Sequence, residues 1–192
     1  MLRPATVLAS LVLAAATAGC TNAVQNQPSA RGSSPTDIAE AALDAFYSWD
    51  AESLAAMIST PQDRDRLVYY QGWAQGADYQ VQTRRPCRLT PDASQAVVTC
   101  AVTVTDNFGK TLGYIATDTF TFTVREAMIS TVWFEGDDPP VFAQLLESIQ
   151  QNQPEILTGP CKDMFAGGTT PGACAQAVVG AAEAFAKTLP NR

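Results

Sequence analysis

The 192-residue sequence contains no histidine, and this absence excludes several kinds of chemistry. Serine–histidine–aspartate and cysteine–histidine catalysis both rely on an imidazole as the general base. The common zinc and copper sites also use imidazole ligands. We therefore expect neither a metal ion nor any other cofactor, and both of these catalytic classes are excluded.

Positive charge is scarce as well. The chain carries 12 Lys and Arg against 19 Asp and Glu, which gives a net charge of −7 at pH 7. Proteins that bind nucleic acid or anionic lipid surfaces through charge present clustered Lys and Arg. The acidic balance therefore argues against nucleic acid as a partner and against electrostatic attachment to a membrane.

The apolar stretch at the N-terminus, residues 5–18 (ATVLASLVLAAATA), is too short to cross a bilayer comfortably. Its length fits the hydrophobic region of a signal peptide. Two cleavage sites are compatible with it. Residues 16–18 (ATA) fit ordinary signal peptidase, whereas residues 18–20 (AGC) resemble the lipobox of bacterial lipoproteins, with Thr17 where that motif usually has Leu.

The cysteine count favours the lipoprotein site. Five cysteines are an odd number, so an exported protein that pairs four of them keeps one free thiol. Acylation of Cys20 would remove this imbalance. We therefore predict a lipoprotein signal peptide over residues 1–19, a lipid anchor on Cys20 at the outer side of the cell membrane, and a flexible tether over residues 20–34.

Three helix starts follow the tether. Residues 34–37 (SPTD) combine an N-cap, a first-turn proline and a capping-box acid. Asp50 can cap a second, short helix, and residues 60–63 (TPQD) repeat the start signal for a third helix that Gly76 ends. Apolar residues recur at helical spacing in each segment, so we predict three amphipathic helices.

The apolar period then changes from that of a helix to that of a strand. Alternation predicts strands within residues 79–89, 98–104, 114–124 and 128–135, with a turn at residues 107–109 (NFG). Together they form an antiparallel meander with one apolar face and one face rich in threonine. The threonine face could be solvated or could pair with a second copy in a homodimer.

Two disulfides are predicted from this arrangement. A two-residue hairpin loop at residues 93–94 would place Cys87 directly opposite Cys100, which agrees with the cysteine parity. The remaining pair, Cys161 and Cys174, would join a glycine- and proline-rich loop to the last helix. Each bridge closes a loop of similar length and contributes about 3 kcal/mol in the chain-entropy model.

The C-terminal part is predicted to be helical. Residues 137–140 (DDPP) begin a helix that carries apolar residues at helical spacing, and residues 170–171 (TP) begin a last, alanine-rich helix. The sequence therefore divides into a domain at residues 35–136 and a helical extension at residues 137–192.

Parts of the chain resemble a known superfamily. Residues 41–58 (AALDAFYSWDAESLAAMI) resemble the opening helices of the NTF2-like proteins, also called SnoaL-like proteins or cystatin-like rolls. Residues 118–124 (DTFTFTV) and 128–134 (MISTVWF) resemble their last two strands. Residues 154–186 resemble the disulfide-linked tail of NTF2-like lipoproteins of actinobacteria.

The resemblance implies an α+β fold, in which a cone of N-terminal helices packs on a curved, four-stranded antiparallel sheet. It also implies a pocket at the wide end of the cone. It does not imply what fills the pocket, because the superfamily contains isomerases, dehydratases and non-catalytic carriers and adaptors.

Asp118 is the candidate catalytic residue. It alternates with Phe120 and Phe122 and should therefore point inward. A two-residue loop at residues 125–126 would place it opposite Trp133, whose indole N–H could donate to the carboxylate. A carboxyl buried among aromatic rings has a raised pKa and can act as a general base, whereas a structural aspartate would simply be hydrogen-bonded there.

Besides Asp118, five residues are candidates for the pocket, and Trp133, placed opposite Asp118, is one of them. Tyr70, Trp73 and Tyr114 combine apolar rings with polar edges, which suits a hydrophobic small molecule. Arg85 shares a strand face with Cys87. It could bind an anionic ligand, or its charged end could simply reach water at the sheet edge.

Three functional hypotheses follow. The first is a lipid-anchored, non-enzymatic envelope protein that binds a hydrophobic small molecule or another envelope protein. The second is an isomerase or lyase that uses Asp118, which a filled core around that residue would exclude. The third is a structural interaction domain, which would show a large exposed apolar patch and no cavity.

Overall fold

The computed structural model describes residues 33–90 and 95–189. The predicted signal peptide, Cys20, most of the tether and the hairpin loop at residues 93–94 lie outside the described residues. Within them the protein is an α+β structure with a five-stranded antiparallel sheet and seven helices. None of the helices in these ranges is both long and apolar enough to cross a bilayer.

The elements follow the predicted order, with additions. The first three helices are α1 (Pro35–Tyr47), α2 (Ala51–Ala56) and α3 (Pro61–Gly76). The strands are β1 (Gln80–Arg84), β2 (Arg88–Thr90), β3 (Ala96–Thr105), β4 (Ala116–Arg125) and β5 (Met128–Gly136), and the short helix α4 (Asn107–Leu112) separates β3 from β4. The last helices are α5 (Pro140–Asn152), α6 (Pro154–Thr158) and α7 (Pro171–Ala186).

The first two helices begin as predicted. The Ser34 hydroxyl accepts a hydrogen bond from the backbone N–H of Asp37 at 3.1 Å, and the Asp37 carboxylate accepts one from Ser34 N–H at 2.9 Å. Asp50 caps α2 through Ser53 N–H at 3.0 Å. Thr60 acts differently, because its hydroxyl donates to the Ser130 carbonyl at 2.5 Å and thereby joins the start of α3 to β5.

The sheet has the order β1-β3-β4-β5, and β2 also pairs with β3. Burial alternates along β3 and β4, as predicted. Inward residues such as Val98, Phe120 and Phe122 are fully buried, and the threonines between them are partly exposed on the other face. The predicted apolar and threonine faces are therefore confirmed.

The first predicted strand is not continuous. Residues 85–87 separate β1 from β2, and β1 has an irregularity between Val81 and Thr83. Val81 pairs with Val104, and Leu89 pairs with Val98, yet Val81 and Leu89 are 43% and 51% exposed. Strands at the sheet edge receive less cover from the helices than the central strands do.

Two short helices were missed. The turn predicted at residues 107–109 is the first turn of α4, which Asp106 caps by accepting the N–H of Gly109 at 2.5 Å. The α4 residue Phe108 is buried. The second missed helix is α6, which follows α5 at Pro154.

The β4–β5 hairpin also differs from the prediction. Its turn is centred on Glu126 and Ala127, one residue later than predicted, and both have left-handed backbones, with φ of 50° and 61°. Two consecutive left-handed residues are typical of a type I′ hairpin turn. One extra residue in β5 then shifts the register by a further position: Val124 pairs with Ile129, but Thr123 pairs with Thr131.

This shift reverses the orientation of Trp133. Asp118 pairs with Gly136, and Trp133 pairs with Thr121 on the threonine face, where it is 60% exposed. The predicted contact between Asp118 and Trp133 is therefore wrong. Because side chains alternate along a strand, a register change by an odd number of residues exchanges the two faces.

Both predicted disulfides are present. Arg88 pairs with Thr99 and Leu89 with Val98, as the predicted hairpin register requires. The Cys87–Cys100 bridge has a Cα–Cα distance of 4.4 Å. The Cys161–Cys174 bridge, which joins the loop before α7 to that helix, has a Cα–Cα distance of 4.6 Å.

Two groups of buried apolar residues hold the described part together. The first lies between the sheet and the three N-terminal helices, so these helices cover the apolar face as predicted. The second lies among α3 and the four later helices. Tyr79 and Tyr114 pack against both groups, at the boundary between them.

Candidate functional site

A cavity of about 170 Å³ lies where these two groups meet. Residues from α3, α4, the facing ends of β4 and β5, α5 and the loop after α6 line it. These residues are Tyr70, Trp73, Ala74, Tyr79, Asp106, Phe108, Tyr114, Asp118, Phe134, Glu135, Gly136, Asp138, Phe142 and Phe165.

The sequence-based candidates divide into two groups. Tyr70, Trp73, Tyr114 and Asp118 all line the cavity, whereas Trp133 and Arg85 do not. Trp133 lies on the opposite face of the sheet, where its indole N–H donates to Glu135 at 3.1 Å. Its orientation is the consequence of the register shift in β5.

Arg85 is exposed in the segment between β1 and β2 and does not reach the cavity. The interruption of the strand explains the error, because alternation cannot be extended across residues that are not in a strand. The neighbouring Arg84 turns toward α1 instead, where it forms ion pairs with Glu40 and Asp44.

The aromatic wall is built around α3. Tyr70 and Trp73 are three residues apart and therefore share a face of the helix. The Tyr70 ring stacks on Phe165 with a centroid distance of 4.9 Å and lies 4.5 Å from the Phe134 ring. The Trp73 ring stacks on Phe108 at 5.7 Å.

Phe165 comes from the loop that the Cys161–Cys174 bridge closes. Its backbone is left-handed, with φ of 60°, and its ring contacts both Tyr70 and Trp73. Sequence patterns did not single it out, because it belongs to an irregular segment with no periodicity. The disulfide and the left-handed backbone together position a side chain that no local signal predicts.

Asp118 projects from the inner face of β4 and is 3% exposed. Its Oδ2 accepts a hydrogen bond from the Tyr47 hydroxyl at 2.7 Å. Tyr47 is the last residue of α1, so this bond joins the helical cover to the sheet. Tyr47 therefore takes the place that the sequence prediction gave to Trp133.

The surroundings of Asp118 disfavour its charged form. Burial raises the pKa of Asp118 to about 7, although the hydrogen bond from Tyr47 acts in the opposite direction. The nearby Asp138, Asp106 and Asp137 raise the pKa further through charge repulsion. Asp118 therefore titrates near neutral pH.

Two more carboxyls belong to the site. Burial raises the pKa of Asp106 to about 6, although the Gly109 N–H bond lowers it. At the exposed rim of the cavity, partial burial raises the pKa of Asp138, and its neighbour Asp137 strengthens the effect. Sequence reasoning missed both groups, because each lies just outside a strand or helix rather than on an alternating face.

All three carboxyls act electrostatically on Tyr79, which lines the same cavity. Burial raises the pKa of Tyr79, and the charges of Asp118, Asp106 and Asp138 raise it further. No Lys or Arg appears among the described residues that line the cavity. The cavity is therefore apolar along its aromatic wall and acidic on the side of Tyr79.

In residues 33–90 and 95–189, no three His, Cys, Asp or Glu side chains are grouped so that they could hold a metal ion. No protein-family model, no curated protein and no solved structure matches the chain. The cavity itself is thus the basis for assigning a function.

Proposed function

We propose that this protein is a lipid-anchored envelope protein whose NTF2-like domain binds a small, largely apolar molecule in the cavity, without catalysis. The observation that carries the proposal is the aromatic-walled cavity. Its volume, about 170 Å³, is comparable to cavities of about 150 Å³ that hold a benzene-sized ligand. Aromatic walls with a few polar groups are typical of small-molecule sites.

The two disulfides support the location outside the cytoplasm, because such bridges form and persist in oxidising compartments. They also consume four of the five cysteines, which leaves Cys20 for the lipid. The packing of three helices on one face of an antiparallel sheet supports the NTF2-like class.

The anchor is tested by intact mass spectrometry of the protein purified from its own membrane. We expect cleavage before Cys20, a diacylglyceryl mass on the new N-terminus and two intact disulfides. A Cys20→Ala variant should lose the lipid mass and leave the membrane fraction. A processed chain that begins after Cys20, or an unmodified Cys20, would contradict the anchor.

Ligand binding is tested by screening benzene-sized neutral fragments, such as benzyl alcohol and indole, by ligand-observed NMR. Ala74 is 2% exposed and lines the cavity, so Ala74→Leu should fill the space and abolish binding. Ala41→Leu on the exposed side of α1 is the matched control and should bind like the parent protein. The proposal fails if no small molecule of this size, neutral or charged, binds, or if both variants bind equally well.

Asp118 supports a second candidate function, proton transfer on a bound carbonyl compound. A carboxyl with a pKa of about 7 in a cavity wall suits a general base, and the core around Asp118 is not filled. The bond from Tyr47 equally suits a structural carboxyl. Deuterium incorporation into a bound ketone in D₂O, lost in Asp118→Asn with binding retained, would establish catalysis; its absence leaves binding as the function.

A further inference from the structure

We propose that the cavity takes an organic cation, a small amine or quaternary ammonium whose charged nitrogen lies beside Gly136, between Asp118 and Asp138. Its apolar part would contact the aromatic wall formed by Tyr70 and Trp73. This inference rests on the proposed binding function and specifies the chemical class of the ligand.

The first argument is uncompensated negative charge. Asp118 and Asp106 are 3% and 5% exposed, and no basic side chain among the described residues lines the cavity with them. Nearby cations contact other acids. Lys110 lies 3.1 Å from Asp78, although its charge also lowers the pKa of Asp106, and Arg84 pairs with two acids near α1. Buried carboxylates are costly without an opposite charge, and a bound cation would supply it.

The second argument is the position of Gly136. A Cβ built on Gly136 would lie 3.5 Å from Asp138 Oδ2 and 3.7 Å from Asp118 Oδ1. Both carboxylate oxygens therefore border the same space, which is open because residue 136 has no side chain. A small ammonium group placed there would contact both oxygens.

The third argument is the aromatic wall. The rings of Trp73 and Tyr70 stack on Phe108 and Phe165, so they form an apolar wall for the uncharged part of the ligand rather than a site for its charge. Trp73 is 4% exposed, and its indole N–H donates no hydrogen bond within the described part of the chain. Every side-chain nitrogen or oxygen that is fully shielded from solvent in the described residues has a hydrogen-bond partner. The Trp73 N–H has no such partner, so it must be partly accessible. Trp73 lines the cavity. This N–H can donate to an acceptor atom of the ligand, such as a hydroxyl oxygen, and it does not itself attract the charged nitrogen.

Binding should depend on pH, because only ionised carboxyls attract the cation. The groups that face Asp118 are Tyr47 from α1, Tyr79 from the segment before β1, Asp106 from the start of α4, and Asp137 and Asp138 from the segment before α5. The pKa values of Asp106 and Asp118 are about 6 and about 7, so both carry more charge at pH 8 than at pH 5. Affinity for a permanently charged ligand should therefore rise with pH.

The test compares choline with 3,3-dimethyl-1-butanol, a neutral molecule of the same shape, by isothermal titration calorimetry on the full-length acylated protein in detergent. We expect choline to bind at least about tenfold more tightly at pH 8. This preference should shrink at pH 5. Choline keeps its charge across this range, so the change would report on the protein alone.

Four variants locate the site. Asp118→Asn and Asp138→Asn should each weaken choline binding about tenfold and leave the neutral molecule unaffected. Gly136→Ala should have the same effect on choline through the added methyl group, with no change in charge. Glu147→Gln, which removes an exposed acid of α5 away from the cavity, is the charge-matched control. Thermal unfolding confirms that each variant is folded.

The outcomes separate the two proposals. Equal or tighter binding of the neutral molecule, or binding of neutral fragments without choline, overturns the cation inference and leaves the proposed function intact. Choline binding that the cavity variants reduce no more than Glu147→Gln does would also overturn it. Failure of choline, of its neutral counterpart and of the whole fragment panel would overturn the proposed function together with the inference.

Discussion

At the residue scale, Asp118 shows how the fold accommodates a carboxyl whose burial costs free energy. Its carboxyl is almost fully buried beside other acids, and the Tyr47 hydroxyl supplies a short hydrogen bond to Oδ2. The other oxygen, Oδ1, borders the space at Gly136. One carboxylate oxygen thus has a hydrogen-bond donor within the fold, and the other borders the cavity.

Asp118 should make the folded state less stable as pH rises. Its pKa is about 7 in the folded protein and 3.8 as a free side chain, so the folded state binds more protons between these values. Its contribution to stability is fully present below pH 4 and is lost as pH rises to 7, by at most on the order of 4 kcal/mol. Asp118→Asn should remove this slope from the free energy of unfolding, measured by urea titration at pH 4 to 8, whereas the exposed Asp65→Asn should not. Parallel curves for Asp118→Asn and the parent would contradict the prediction.

Tyr47→Phe should destabilise the protein most at high pH. The variant removes the hydrogen-bond donor to Asp118 and leaves a buried carboxylate without that partner, which costs about 1–3 kcal/mol. At pH 4 the carboxyl is neutral and the loss should be smaller. Urea unfolding at pH 4 and pH 8 measures both values, and an equal loss at the two pH values would show that the hydroxyl does not interact with the charge.

At the scale of elements, the β4–β5 hairpin determines which residues reach the cavity. The extra residue in β5 places Phe134 at the cavity and Trp133 outside, whereas the displaced turn shifts the register by two residues and leaves the faces unchanged. The exposed Trp133 and its threonine neighbours lie on the face for which solvation and pairing with a second copy are the two alternatives, and light scattering would measure whether the protein is a dimer.

Ala127→Gly should stabilise the hairpin. Ala127 has φ of 61°, a conformation that costs an L-residue with a side chain about 1 kcal/mol and costs glycine almost nothing. We expect the free energy of unfolding to rise by about 0.5–1 kcal/mol. Ala101→Gly in the middle of β3 is the opposite control, because glycine weakens a strand interior. A loss of stability in Ala127→Gly would indicate that the turn has another geometry.

The two disulfides should contribute about equally to the stability of the protein, but only one of them should affect ligand binding. Both close loops with a sequence separation of 13, so removing either pair by Cys→Ala substitution should cost about 3 kcal/mol. Among the described residues of the two loops, only Phe165 in the Cys161–Cys174 loop lines the cavity. Fragment binding by NMR should therefore weaken without the Cys161–Cys174 bridge and persist without Cys87–Cys100. The reverse result would place the binding site elsewhere.

At the scale of the whole described structure, the close approach of α3 and α7 holds the two buried groups together around the cavity. A Cβ on Gly76 would lie 2.6 Å from the Cα and carbonyl oxygen of Gly172. Backbone at this distance cannot move aside easily, so glycine is required on α3 at the crossing.

Gly76→Ala should therefore destabilise the protein by about 1–3 kcal/mol through overpacking and should weaken fragment binding. Gly180→Ala is the matched control, since no described atom outside the backbone of its own helix lies within 4 Å of a Cβ at this position. Alanine there should be neutral or stabilising by up to about 1 kcal/mol, because it favours helix. Thermal unfolding with NMR binding tests both, and equal effects of the two variants would contradict the proposed crossing.

The sequence by itself determined the features that depend on near neighbours. The capping signals of α1 and α2, the alternation of β3 and β4, and the Cys87–Cys100 register all follow from residues a few positions apart or across one tight hairpin. Cysteine parity added the second disulfide. These signals are local, so packing elsewhere in the molecule did not change them.

Only the tertiary structure decided the chemistry of the cavity. Tyr47 bonds to Asp118 from 71 residues away, and Phe165 reaches Tyr70 from an irregular loop. One extra residue in β5 exchanged the faces of Trp133 and Phe134, because the displaced turn alone shifts the register by two residues and keeps each side chain on its face. Such outcomes depend on how separate elements pack and on the exact number of residues in a strand, and no periodic pattern in the chain encodes either.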